Sequence, residues 1–306
     1  MIDLRSDWVT RPTERMWEAM RAAEPSALTR LEARAAELIG KEAAAWTPTC
    51  TAANLAALLT LAAPGDRVAL QPEAHILTTE GMGIAHLARL DPVGLEDAER
   101  ATLACLENTH TRAGGVVLTV EETSRLAALA PRAHLDGARL PNAAAALGVT
   151  LAELAAPVDT VALSLNKGLG APAGAVLAGE KATIEQAREH LLRLGAASIH
   201  QAFVFAAAGL VALDLLGRIG DDNRRAHDLA ARLAAIDGVT VEPTETNVVF
   251  FTADGWGAEA LIERLAGLGV VGYRRDERRV RFVTHHELDD DAVDRAAAAV
   301  AAAVAG

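Results

Sequence analysis

Cysteine is nearly absent: Cys50 and Cys105 are the two in 306 residues, far apart and outside any C-x-x-C pair. No disulfide framework can be built from them, and a reducing, cytoplasmic location is expected. Aromatic residues are scarce too, at 3%. Alanine instead supplies much of the 51% hydrophobic share, and stretches rich in Ala and Leu favour helices. An excess of positive charge is also missing. The formal net charge is −12, which argues against nucleic acid and anionic membranes as partners and leaves a small substrate open. No apolar run is long and clean enough to span a bilayer. Asp294 and Arg295 interrupt the Ala-rich C-terminal stretch, which reads as a terminal helix. The opening residues, Met1 to Trp8, carry charges where a secretory signal needs an apolar core.

A chain of this length exceeds what one core usually supports, so a large domain and a smaller one are expected. From about residue 30 to 180, helical and strand patterns alternate. Leu31–Ile39 reads as a helix capped by Gly40, and Ala52–Ala63 as a helix stopped by Pro64-Gly65. Val68–Leu70, Thr102–Leu106, Ala133–Asp136, Val161–Leu165 and Gly174–Ala178 read as strands, with helices at Asn142–Leu147 and Lys181–Leu194. Such alternation predicts an α/β domain with a mainly parallel sheet, over residues 1–218 with the N-terminal arm included. After Gly220 the pattern changes. Strands at Val239–Glu242, Val248–Thr252, Val270–Arg274 and Arg279–Val283, with helices at Asp221–Ile236, Ala258–Ala266 and Asp289–Val304, predict a small α+β domain over residues 219–306.

Three segments carry chemistry. In Ser164-Leu165-Asn166-Lys167-Gly168-Leu169-Gly170, a lysine stands at the carboxyl end of a buried-type strand, before a glycine-rich turn. Ligands of open α/β sheets bind outside those ends, and a lysine there is placed to act as a nucleophile. In Ala133-His134-Leu135-Asp136-Gly137-Ala138-Arg139, a strand ends in a carboxylate. An aspartate so placed could keep the pyridine nitrogen of pyridoxal 5′-phosphate (PLP) protonated. In Thr47-Pro48-Thr49-Cys50-Thr51, small polar residues precede a helix, where free N–H groups suit a phosphate. Singly these segments have plainer readings: a loop lysine, a helix N-cap aspartate and an ordinary threonine cap. In this order they describe a phosphate cup, a pyridine-nitrogen carboxylate and a Schiff-base lysine.

On these motifs the chain resembles the L-threonine aldolases, in the β-eliminating lyase group of fold-type I PLP enzymes. The likeness runs nearly end to end. It includes Ile2–Asp7 and Val9-Thr10-Arg11-Pro12, then Leu106–His110 and Ala113-Gly114-Gly115, the Asp136 and Lys167 segments, Thr246-Asn247, and Val280–His285. The resemblance implies an aminotransferase-like fold and retro-aldol cleavage of a β-hydroxy-amino acid, with active sites shared in a homodimer or homotetramer. It also implies roles. Lys167 matches the Schiff-base lysine and Asp136 the partner of the pyridine nitrogen, with Arg139 near the cofactor's O3′. Thr49, Cys50 and Thr51 match the phosphate loop, and His75 the histidine stacked on the ring. His110 matches a second histidine close to the β-hydroxyl; Ser6 and Arg281 match groups that bind the substrate carboxylate. No metal is implied, and His200 and the His285-His286 pair are left structural or solvent-facing. Other reactions on the same cofactor (elimination, racemisation, transamination) and a catalytically silent PLP-binding subunit stay open.

The chain departs from the family pattern in places. Pro25–Arg30 replaces a longer Gly/Asp-rich stretch that crosses to a neighbouring subunit. Further shortenings fall between Arg89 and Thr102 and around Ala130-Pro131-Arg132. Trp8 stands in place of threonine, Cys50 of glycine, Asn166 of serine, and His200 of arginine. Trp8 is expected either to fill part of the substrate pocket or to pack the N-terminal arm onto the small domain.

Overall fold

The computed structural model describes residues 1–305. Strand β1 (Ile2–Asp3) opens the chain, and seven later strands build the main sheet. These are β2 (Ala43–Thr47), β3 (Arg67–Leu70), β4 (Asp91–Gly94), β5 (Leu103–Glu107), β6 (Arg132–Asp136), β7 (Thr160–Ser164) and β8 (Ala175–Gly179). Their order across the sheet is β2-β8-β7-β6-β5-β3-β4. Only the two pairings made by β8 are antiparallel; the others are parallel. Strands β5, β7 and β8 are buried along their whole length, as a sheet covered by helices on both faces requires. Leu31, Ile39, Leu106, Leu135, Leu140, Leu154 and Leu163 join one large core there. With so few rings to use, that core is filled by Leu and Ala.

Strand β2 was not expected from sequence. Its residues, Ala-Ala-Ala-Trp-Thr, favour no strand by themselves. The five-residue register with β8 makes them one. The helix Ala202–Asp214 was also missed, and it is apolar on nearly every side because it is buried against the helices Glu14–Arg21 and Ser26–Ile39. Gly40 closes the latter helix at φ +70°, in the left-handed conformation expected of a C-terminal cap.

A second, four-stranded antiparallel sheet runs β12-β13-β10-β9, with β9 (Val239–Val241), β10 (Val248–Ala253), β12 (Tyr273–Arg274) and β13 (Val280–Val283). Two sequence expectations are corrected here. Val270–Arg274 is not one strand: β11 (Val270–Val271) pairs in parallel with β1, and β12 pairs with β13. The break is Gly272, where an added Cβ would lie 2.4 Å from the Phe282 ring. The start of the N-terminal arm also belongs elsewhere, since Ile2 and Leu4 pack in the core around Phe251 and Phe282 rather than against the main sheet. Phe250, Phe251 and Phe282 are all fully buried, so the scarce rings are concentrated in this sheet.

The Gly272 contact is testable. Gly272→Ala should cost about 1–3 kcal/mol of unfolding free energy through overpacking, seen as an earlier denaturant midpoint. An unchanged midpoint would show that the Phe282 ring yields freely.

Candidate active site

Parallel pairing brings the carboxyl ends of β3, β5, β6 and β7 to one edge of the main sheet. Each end delivers one of the expected residues. His75 follows β3 at a short helix, His110 follows β5, Asp136 is the last residue of β6, and Lys167 follows β7. Strand β2 points the same way and leads to Thr49, the N-cap of the helix Cys50–Leu61. Thr49 accepts from the Ala52 N–H through its hydroxyl, leaving the N–H groups of Cys50 and Thr51 for an anion. The chain has three lysines. Lys41 donates to the Val158 carbonyl and Lys181 is exposed at a helix start; Lys167 alone stands at the functional edge, half-buried.

Asp136 is buried and bonded only by neutral donors. The Asn54 amide donates to Oδ2 at 2.9 Å, the Ala138 N–H to Oδ1 at 3.1 Å, and the Cys50 thiol lies 3.9 Å from Oδ1. Burial and the Asp136 charge push the Cys50 thiol well up, so it stays protonated. Gly137 must follow Asp136 because an added Cβ would lie 3.0 Å from the Ala162 carbonyl oxygen. Behind Asn54 lies His134. Its Nε2 meets Asn54 Oδ1 at 3.0 Å and its Nδ1 meets Thr160 Oγ1 at 2.8 Å. Burial lowers the His134 pKa to about 4, so the ring is neutral.

The two histidines are held differently. His75 Nδ1 lies 2.9 Å from Glu80 Oε1. The His110 Nε2–H donates to the Pro72 carbonyl at 2.8 Å, and its buried Nδ1 has no hydrogen-bond partner among the described residues, with the Glu107 carboxylate 3.9 Å away. Glu107 ties their segments together: its carboxylate accepts the His75 N–H at 2.7 Å and the Thr111 N–H at 3.1 Å. Burial raises the Glu107 pKa. His75, Glu80 and Asp136 place possible ligand atoms within 4.8 Å of one another, but the Asn54 amide donates to both carboxylates and accounts for that cluster without an ion.

Arg139 forms the most buried ion pair of the site. Its Nε and Nη2 donate to the two oxygens of Asp7 at 2.7 and 2.6 Å, and its Nη1 donates to Thr111 at 2.9 Å. Burial alone would raise the Asp7 carboxyl, but Arg139 outweighs it and holds it at about 2. Ser6 lies beside this pair, its hydroxyl 3.2 Å from Asp7 and 3.4 Å from Arg139. Arg281 reaches in from β13. It donates to the Arg5 carbonyl at 3.1 Å and sits 4.6 Å over the Tyr273 ring. Among the described residues it has no carboxylate partner, and its buried Nε is unpaired. Burial and the Arg139 charge lower its pKa to about 10, as for a cation awaiting an anion. Trp8 is 54% exposed and lines a surface hollow with Arg5 and Arg11 of the arm and His285 and Leu288 of the small domain.

Asp7, Asn54, Glu80, Glu107 and His134 were not singled out from sequence. Asn54 and His134 are joined across 80 positions and Arg139 and Asp7 across 132, so no local spacing exposes them. Asp7, Glu107 and His134 stood within recognised motifs and Asn54 at the end of the phosphate-loop segment, which was the available signal.

Fold and site together define a fold-type I PLP enzyme. A buried carboxylate lacking a cationic partner, a lysine at the next strand end and a helix N-terminus beside them fit that cofactor. The beta-eliminating lyase family model matches residues 3–255. Low-specificity L-threonine aldolase 1 of Arabidopsis thaliana is 36% identical, over 94% of this chain and 92% of that protein. The low specificity L-threonine aldolase of Escherichia coli K12 is 34% identical, over 97% and 98%. A solved threonine aldolase structure from Leishmania major superposes with TM-score 0.84 at 19% identity, covering 99% of this chain and 100% of that one. The chain belongs to the L-threonine aldolase family of beta-eliminating lyases.

The His134 environment gives a pH prediction. The folded value, about 4, lies below the ordinary 6.5, so the neutral ring favours the fold. That contribution is whole above pH 6.5 and is lost as pH falls through 4, up to ~3 kcal/mol. Unfolding free energy should therefore fall between pH 7 and pH 4.5, and fall less in His134→Gln. Equal losses in both proteins would contradict the assignment.

Proposed function

We propose that this chain is a PLP-dependent aldolase cleaving β-hydroxy-L-amino acids of the threonine and allo-threonine type to glycine and an aldehyde. The observation that carries the reading is the convergence of Lys167, Asp136, His75 and His110 on one sheet edge, facing an Arg281 that lacks a carboxylate. When bound, the cofactor supplies the electron sink that lets the Cα–Cβ bond break. Lys167 would anchor it covalently. Asp136, held by Asn54 and the Ala138 N–H, would keep a proton on the ring nitrogen. Thr49, Cys50 and Thr51 would hold the phosphate, with Arg139 and His75 as further contacts to the ring. Arg281 takes the substrate carboxylate in a two-pronged grip, with Ser6 as a further donor. His110, or His75, or a water they hold, accepts the β-hydroxyl proton. The names of the Arabidopsis and E. coli relatives, both low-specificity L-threonine aldolases, support L-threonine as a substrate. Their family context supports a homodimer or homotetramer, and the free, widely spaced cysteines support a cytoplasmic setting.

Purified protein supplied with PLP should release acetaldehyde from L-threonine and L-allo-threonine, or benzaldehyde from phenylserine. Lys167→Ala should abolish release and the visible absorbance of bound cofactor. Arg281→Leu should raise KM at least about tenfold, as loss of a bidentate contact predicts. Cofactor absorbance without aldehyde from any of the three substrates would assign a different reaction.

A further inference from the structure

Asn54, Glu80 and His134 touch neither expected substrate group nor cofactor phosphate, yet they form a closed set of hydrogen bonds behind the site. Every donor in that set can be assigned. The His134 ring is neutral, so one nitrogen donates and the other accepts. The Asn54 Nδ2 hydrogens point at Glu80 Oε1 and Asp136 Oδ2, both at 2.9 Å. Asn54 Oδ1 must then accept from His134 Nε2–H, and His134 Nδ1 must accept from the Thr160 hydroxyl. The Asn54 amide cannot flip without facing both carboxylates with its oxygen. Glu80, its side chain 5% exposed, therefore meets His75 Nδ1 as an acceptor, which puts the proton on Nδ1 and frees Nε2.

We propose that Glu80 and Asn54 are positioning residues: Glu80 fixes His75 as the Nδ1–H tautomer with Nε2 free toward the site, and Asn54 locks Glu80 and Asp136 into one register. The proposal rests on the aldolase reading for its kinetic consequence but not for its structural one. One amide with two hydrogens sets the carboxylate that serves the ring nitrogen and the carboxylate that orients the histidine over the ring. Thr160 and His134 brace that amide from the interior, where burial excludes competing water.

Nitrogen NMR of histidine-labelled, cofactor-loaded full-length protein reads the tautomer, with His75→Gln assigning the signal among the nine histidines. Wild type should show the proton on Nδ1. Glu80→Leu should move it to Nε2 and lower kcat roughly 10- to 100-fold, the scale of a misplaced catalytic group, with KM within about threefold. Glu80→Gln keeps an acceptor oxygen, so it should retain Nδ1–H and recover most of kcat. A wild-type proton on Nε2 would overturn the proposal. So would a Glu80→Leu protein that keeps the Nδ1–H tautomer. Should Glu80→Leu not fold, the wild-type tautomer alone decides. Because the tautomer is read without turnover, its failure is distinguishable from failure of the aldolase reading.

Discussion

The Asp7 carboxylate and the Arg139 guanidinium meet in a place that water does not reach. Asp7 lies on the arm whose Ile2 and Leu4 pack in the second core; Arg139 follows β6 of the main sheet. Asn247, just before β10, approaches the same carboxylate at 3.4 Å, and Thr111, beyond β5, takes a further Arg139 hydrogen. This bidentate pair and its neutral neighbours bridge the two units at their most buried point, beside further bridges such as Asn142–Asn223, Thr246–Gly115 and Arg275–Glu73. Removing one partner from such a pair costs about 3–5 kcal/mol because the other charge is left buried and alone. The same pair sets where Ser6 lies and how Arg139 faces the cofactor edge. Docking and the candidate site share atoms, so a shift of the second unit would disturb the site.

Behind that pair, the main sheet solves a desolvation problem. Four strand ends carry Asp136, Glu107, Lys167 and the two histidine segments into one partly buried volume. Isolated charges there would be costly. The carboxylates are instead met by backbone N–H groups and by the Asn54 amide. Neutral donors stabilise the charges without cancelling them, which leaves Asp136 free to pair with a ring nitrogen and Arg281 free to pair with a carboxylate.

Much of this was legible in the sequence. Repeating helix and strand periods gave the alternating architecture, and the motifs around Asp136 and Lys167 gave the strand ends where ligands bind. What was not legible depends on distant partners. Strand β2 has no strand-forming sequence and exists through its register with β8. Gly272 reads as part of a continuous strand until the Phe282 ring beside it is seen. Trp8 sits where the arm meets the small domain, a setting defined by His285 and Leu288 far along the chain. Asn54 reads as one polar residue in an apolar helix; its place between two carboxylates and a histidine comes from strands β3 and β6 converging on it.

Lys167 is the proposed covalent anchor of the cofactor, at the edge where Asp136 and His75 converge. Borohydride reduction of the cofactor-loaded protein, followed by peptide mass mapping, tests it most directly, because only Lys41 and Lys181 compete. A stable phosphopyridoxyl increment is expected on the peptide containing Lys167 and on no other. An increment on Lys41 or Lys181, or none on any lysine, would contradict it.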